Sequence, residues 1–126
     1  MGPVPGTIAV IGASADRAKY GNKAVRAFRH QGWRVVPVNP AAEAVEGERA
    51  YASVLDYDGV IDEATLYVPP AVGLGVLDQL AQKGIRRVWL NPGADAPAVV
   101  ARARALGLEA IVACSILSVG EQPAAY

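Results

Sequence analysis

The sequence predicts an α/β domain: an open, doubly wound, mainly parallel sheet of about five strands with helices on both faces, in three α/β/α layers. Two observations carry this prediction. Short apolar runs rich in β-branched residues alternate with segments whose apolar residues recur three or four apart, and glycine or proline closes each run. The first two runs are separated by the length of a crossover helix, the connection that parallel strands need.

The elements follow in order. Thr7–Gly12 reads TIAVIG, an almost unbroken apolar run ending in Gly12-Ala13-Ser14, as expected of a strand buried on both faces. A polar loop with Asp16, Arg17 and Lys19 leads to Ala24, Val25 and Phe28, the apolar stripe of a helix that stops near Gly32. Trp33–Val38 is the second strand, stopped by Asn39-Pro40. Ala41–Asp58 is less regular, with Gly47–Tyr51 read as a short extended piece and Ser53 as the cap of a short helix. Ala64–Val68, closed by Pro69-Pro70, is the third strand, and Val72, Val76 and Leu80 mark a helix ending at Gly84. Arg87–Leu90, closed by Asn91-Pro92-Gly93, is the fourth. Asp95 is expected to cap a last helix carrying Val99, Ala103 and Leu106, and Glu109–Ala113 completes the sheet. The termini, 1–6 and 115–126, are expected to be loose. With no repeat, linker or low-complexity tract, residues 1–126 read as one Rossmann-like domain.

Composition narrows the function. Hydrophobic residues at 52% and charged residues at 19% exclude a disordered chain, and no apolar run approaches the roughly 20 residues that span a bilayer. Twelve Lys+Arg balance twelve Asp+Glu, so no overall positive field favours nucleic acid or an anionic membrane. The single cysteine, Cys114, has no disulfide partner, and no Cys/His spacing suits zinc, which fits a reducing cytoplasm. The Gly/Pro-rich Met1–Gly6 lacks the form of a secretory signal.

In a doubly wound sheet, ligands lie outside the carboxyl ends of the strands, so Gly12-Ala13-Ser14, Val38-Asn39-Pro40, Val68-Pro69-Pro70 and Asn91-Pro92-Gly93 are the candidate segments. The first reads as a phosphate-binding loop rather than a plain tight turn. Gly12 lets backbone approach a ligand, Ser14 offers a hydroxyl, the following helix presents free N–H groups, and Arg17 and Lys19 add charge. Ser14 and Arg17 stand where the dinucleotide fingerprint has glycines, and Asn39 stands where an acid would hold the ribose of NAD. The prolines stop strands and would also form an apolar shelf, with Asn91 available to bond a base or an amide chain. His30, in the last turn of the first helix, suits the helix dipole better than catalysis. Asp56, Asp58, Asp62 and Glu63 cluster at the opposite end of a strand, where solvated surface is the expected role. No acid/base pair emerges, so no catalytic or metal residues are expected. Cys114 falls on the ligand edge, its thiol either facing the pocket or, more commonly for cysteine, packed as a small buried side chain.

Together IAVIGAS, Tyr20-Gly21, VVPVNP, LYVPP, VWLNPG and the cysteine after the last strand resemble the small stand-alone CoA-binding proteins, a Rossmann-like family similar to the CoA-binding domain of the succinyl-CoA synthetase alpha subunit. The resemblance covers roughly Thr7 to Cys114 and rests on the order and spacing of the motifs. It implies coenzyme A across the carboxyl edge. Gly12, Ala13, Ser14 and Arg17 match the family's phosphate loop, with Lys19 and Tyr20 behind it. Val38, Asn39 and Pro40 match the second loop, Val68, Pro69 and Pro70 the third, Asn91, Pro92 and Gly93 the fourth, and Cys114 the cysteine. The chain departs from relatives at Val112-Ala113, commonly Asp-Arg, and at Asn91 with Gly93-Ala94, commonly Gln with Gly-Ile. The ligase's phosphohistidine domain and nucleotide-grasping partner have no counterpart in the chain, so independent ligase activity is not expected. The leading expectation is a non-catalytic module that binds coenzyme A or an acyl-CoA, as a homodimer or with an unknown protein partner. An NAD(P)-dependent oxidoreductase-like domain is the alternative. A mixed disulfide between Cys114 and the CoA thiol is a third idea.

Overall fold

The structure, a computed structural model, describes residues 5–126. Five parallel strands form the sheet: β1 (Thr7–Ile11), β2 (Arg34–Val38), β5 (Glu63–Leu66), β6 (Arg87–Leu90) and β7 (Glu109–Val112), in the order β2-β1-β5-β6-β7. Between β2 and β5, the irregular stretch folds into the small antiparallel hairpin β3 (Ala44–Val45) and β4 (Glu48–Arg49), turned by Glu46 and Gly47, both with positive φ. A two-residue turn needs that geometry to match the strand twist, and Glu46 is the described residues' only non-glycine example. Ser53 caps the 3₁₀ turn Val54–Asp56 as expected, its Oγ accepting from the Leu55 N–H.

The connections place a helix layer on each face. Ile8 and Val10 point toward α1 (Tyr20–His30) and its buried Ala24, Val25 and Phe28, whereas the alternate residues Ala9 and Ile11 face the core shared with α2 (Pro70–Lys83) and α3 (Pro97–Ala105). This alternation makes β1 apolar throughout, because both of its faces are covered. Each fully buried Ile or Leu side chain contributes about 1.5–3 kcal/mol. The edge strand β7 is correspondingly the most exposed, with both its ends open to solvent. At β2, the other edge, Pro37 is buried but its carbonyl points away from β1 and accepts from the Tyr51 N–H.

Several details differ from expectation. Trp33 stays out of β2 because its N–H closes the end of α1 on the Phe28 carbonyl. The third strand is Glu63–Leu66 rather than Ala64–Val68. Asp95 does not cap α3: its carboxylate accepts from the Gly93 N–H, and Ala96 takes the cap position before Pro97. Of the four clustered carboxylates, Glu63 is a strut instead of solvated surface, accepting from the Trp89 indole at 2.7 Å and pairing with Arg87 at 3.5 Å. Asp62 accepts from the Thr7 N–H at 2.9 Å.

The largest correction concerns the C-terminal tail. Residues 115–126 are packed: α4 (Ser115–Ser118) buries Ser115 and Ile116 against α1 and the sheet, and a 3₁₀ turn, Pro123–Ala125, follows. The expectation for the other terminus lies largely outside the described residues, which begin at Pro5; Gly6 extends the β1–β2 ladder by accepting from Arg34.

Candidate functional site

The chain leaves β1 for α1 on one face and β5 for α2 on the other, so the carboxyl ends of these neighbouring strands form the topological switch point. Two glycines shape it. Gly12, at φ +87°, lies so close to the neighbouring strand that a Cβ would stand 2.6 Å from the Tyr67 carbonyl oxygen. Gly21, in the first turn of α1, presses on the loop from the other side, where a Cβ would stand 2.1 Å from the Gly12 oxygen. Backbone therefore forms the site's floor at a point where any side chain would intrude.

Buried amides fix the loop above that floor. Asn22, fully buried in α1, donates to the Ser14 carbonyl at 2.8 Å and to Glu46 at 3.2 Å, while its own oxygen accepts from Arg26 at 2.7 Å. Asn39 donates to the Ala13 carbonyl at 2.8 Å and accepts from the Ala41 N–H. No side chain caps α1 and no acid occupies its first turn, so no side chain offsets its N-terminal partial charge. Ser14 Oγ accepts from the Asp16 N–H. Arg17, expected as a free cation, sits 3.5 Å from Glu46 at the hairpin tip, and Lys19 is the cation on the groove itself.

Three adjoining cavities run along the carboxyl edge. The first, about 390 Å³, lies between Asn39-Pro40 and α2; the second, about 490 Å³, shares Gly12 and Val68 with it and reaches Lys19, Tyr20, Pro69, Pro70 and Gly93. The third, about 300 Å³, shares Tyr20, Tyr67 and Pro92 with the second and ends at Cys114, Leu117 and Pro123. Gly12, Lys19, Tyr20, Val38, Asn39, Pro40, Val68, Pro69, Pro70, Asn91, Pro92, Gly93 and Cys114 thus come together in one groove. Ala13 is buried beneath it, and Ser14 and Arg17 flank it. Two other hollows, near Trp33 and Tyr57 and near His30 and Tyr126, lie away from the switch point.

Asn91 corrects the expectation that its side chain is available to a ligand. It is 1% exposed; its amide donates to Thr65 Oγ1 at 2.7 Å and to the Leu66 carbonyl at 2.9 Å, and its oxygen accepts from the Ser115 N–H at 2.9 Å. Ser115 Oγ adds bonds to Thr65 Oγ1 at 2.8 Å and Tyr67 Oη at 3.0 Å. Burial pushes the Tyr67 phenol up to about 12, so it stays neutral beside the groove at ordinary pH. Cys114 is half-buried: it packs against the core cluster on the α1 side and its residue also lines the third cavity.

Sequence reasoning passed over Asn22, Thr65, Tyr67 and Ser115 as site residues, together with Val72, Val76 and Gln79 on the α2 wall of the first cavity, and took Gly21 only as part of the Tyr20-Gly21 motif. The four-residue spacing of Val72, Val76 and Leu80 marked them only as the stripe of a helix. The lining of the three cavities is mostly apolar, with Lys19 as its cation and Tyr20, Asn39, Tyr67, Gln79 and Cys114 among its polar side chains. Among the described residues no helix is long and apolar enough to cross a membrane.

Comparison with known proteins agrees with this geometry. Residues 6–120 match the family model described as a CoA binding domain. The alpha subunit of an ADP-forming acetate–CoA ligase II from Pyrococcus furiosus is 39% identical over 85 residues, covering 67% of this chain and 19% of the subunit. The chain thus spans about a fifth of that curated relative and 12% of another, an ADP-forming acetate–CoA ligase from Methanocaldococcus jannaschii. Among solved structures, a conserved hypothetical protein from Pyrococcus furiosus superposes with a TM-score of 0.82 at 32% identity, covering 89% of this chain and 97% of that one. A dinucleotide-forming acetyl-coenzyme A synthetase from Ca. Korarchaeum cryptofilum gives 0.73 at 30% identity, covering 84% of this chain and 25% of that one. By its match over nearly its whole length, the chain belongs to the CoA-binding domain family.

Proposed function

We propose that the protein binds coenzyme A along the carboxyl-edge groove and acts as a non-catalytic module that presents CoA or an acyl-CoA. The observation that carries the reading is the bare backbone floor at Gly12 and Gly21 beneath the uncapped start of α1. The close packing of Gly21 on Gly12 draws the loop against the start of α1, whose first N–H groups can donate to a pyrophosphate. In this reading the nucleotide end occupies the first cavity, the pyrophosphate lies over Gly12 and Lys19, and the pantetheine arm runs past Tyr67 toward Cys114. Arg17, the exposed partner of its 3.5 Å contact with Glu46, supplies charge to a phosphate by leaving that carboxylate. The ligase subunits among the relatives suggest that a protein partner receives the CoA. The NAD-type reading gains nothing from Asn39, whose amide is occupied by Ala13 and Ala41.

The 3′-phosphate distinguishes CoA from dephospho-CoA. Replacing Arg17 and Lys19 together with alanine is expected to weaken CoA by about tenfold or more and dephospho-CoA by less, because Lys19 faces the pyrophosphate that both ligands share and Arg17 is the cation left for the 3′-phosphate. Equal affinity of the double variant and the wild type for CoA would remove both residues from that role.

A further inference from the structure

The groove's third cavity is walled by the segment that follows Cys114. Leu117 and Pro123 line it together with Tyr20 and Tyr67, and no charged residue lines this space of about 300 Å³. This segment is fastened at two points. Near its start, Ser115 is locked into the Thr65, Tyr67 and Asn91 bonds, and Ile116 is fully buried. Near its end, the Glu121 carboxylate accepts from Tyr126 Oη at 2.7 Å and from Gln31 Nε2, and lies 2.9 Å from His30 Nδ1. Gln31 and His30 belong to the end of α1, so one carboxylate ties the strap 119–126 across to the neighbouring helix. Between the two fastenings Leu117 is 51% exposed, forming the cavity's rim without being core.

We infer that Glu121 is a positioning residue that sets the length of acyl chain the groove accepts, by holding Leu117 and Pro123 in place as the end wall beyond Cys114. The inference rests on the reading of the groove as a CoA site. With no charge in its lining, the cavity takes an uncharged thioester tail, and its size becomes the limit. A tail longer than the cavity must push Leu117 and Pro123 outward, which the Glu121 clamp resists. The hydrogen bonds from Tyr126, Gln31 and His30 hold the Glu121 carboxyl down at about 2, so it is an ionised acceptor for all three at neutral pH.

The test is titration of the full chain with acetyl-CoA and octanoyl-CoA, for the wild type, Glu121→Ala, Glu121→Gln and Leu117→Ala, with hydrogen exchange of 119–126 in parallel. Both alanine variants are expected to shift the affinity ratio toward octanoyl-CoA by roughly fivefold or more, with Glu121→Gln, which keeps one acceptor oxygen, in between. Exchange of the strap should quicken in Glu121→Ala. A purely structural role would weaken both ligands together and leave the ratio where it was. An unchanged ratio in both alanine variants, with CoA still bound, overturns this inference alone; Leu117, being half exposed, can be truncated without threatening the core. Strap exchange unaltered in Glu121→Ala overturns the clamp. Failure of the wild type to bind either thioester overturns the CoA reading and this inference with it.

Discussion

The two ends of the groove are built by opposite means. At Gly12–Gly21, main chain meets main chain across a gap with no room for a methyl group. At Cys114–Tyr126, side chains meet side chains: Asn91, Thr65, Tyr67 and Ser115 form one buried network, and Glu121, His30, Gln31 and Tyr126 form another at the surface. The first end is specified by atoms that are missing and fails when one is added. The second is specified by partners that are present and fails when one is removed. A site that must approach a pyrophosphate is suited by the first design, and one that must shape a variable tail by the second.

Gly21→Ala tests the first end and should have the largest effect. Its Cβ would meet the Gly12 carbonyl oxygen at 2.1 Å and the Gly12 carbonyl carbon at 3.0 Å, backbone atoms with no flexible end to move. A loss of about 3 kcal/mol or more in denaturant unfolding is expected, with CoA affinity falling alongside. Wild-type stability in this variant would mean the close approach is wrong.

Asn91→Leu tests the second end and should rank next. It leaves the Ser115 N–H, the Leu66 carbonyl and Thr65 without their shared partner in a buried setting, a cost of about 2–4 kcal/mol. The expected signature is faster amide exchange in 115–118 with little change at 12–21. Loosening of both ends together would show that they are not separate.

The smallest effects come from pH and fall on the second end alone. Glu121 is held near 2 in the folded chain against an ordinary 4.5, so its contribution is present above about 4.5 and is lost as pH falls toward 2. Tyr67 behaves in the mirror sense: raised from 10.0 to about 12, it contributes fully below 10 and the contribution is lost as pH rises through 12. Exchange of 119–126 should quicken below pH 4.5, and tyrosinate absorbance should show a phenol ionising about two units above a free tyrosine. An acid response that begins at the Gly12 loop instead would reverse the assignment.

The comparison also explains what was legible in the sequence. Strands and helices could be read because TIAVIG and the Ala24, Val25, Phe28 stripe repeat at the periods their burial requires, and the four post-strand segments because topology alone places them on one edge. Gly12 was legible as a glycine directly after a strand. Gly21 was not, because its need for a bare Cα arises from packing on a residue nine positions back. Asn91 was misread for a similar reason: an asparagine after a strand suits a ligand or an internal strut equally, and its partner Ser115 is 24 residues away. The tail looked loose because α4 spans one turn and its fastening on Glu121 draws donors from α1, about 90 residues earlier. Arg17 looked free because its partner Glu46 sits on a hairpin tip inside the least regular stretch.

The central claim is that the groove is a coenzyme A site, and calorimetric titration of the ligand-stripped chain with CoA and NADH in parallel tests it most directly. The account predicts one CoA per chain at about micromolar affinity or tighter, with NADH far weaker. Tight NADH binding without CoA binding would contradict it.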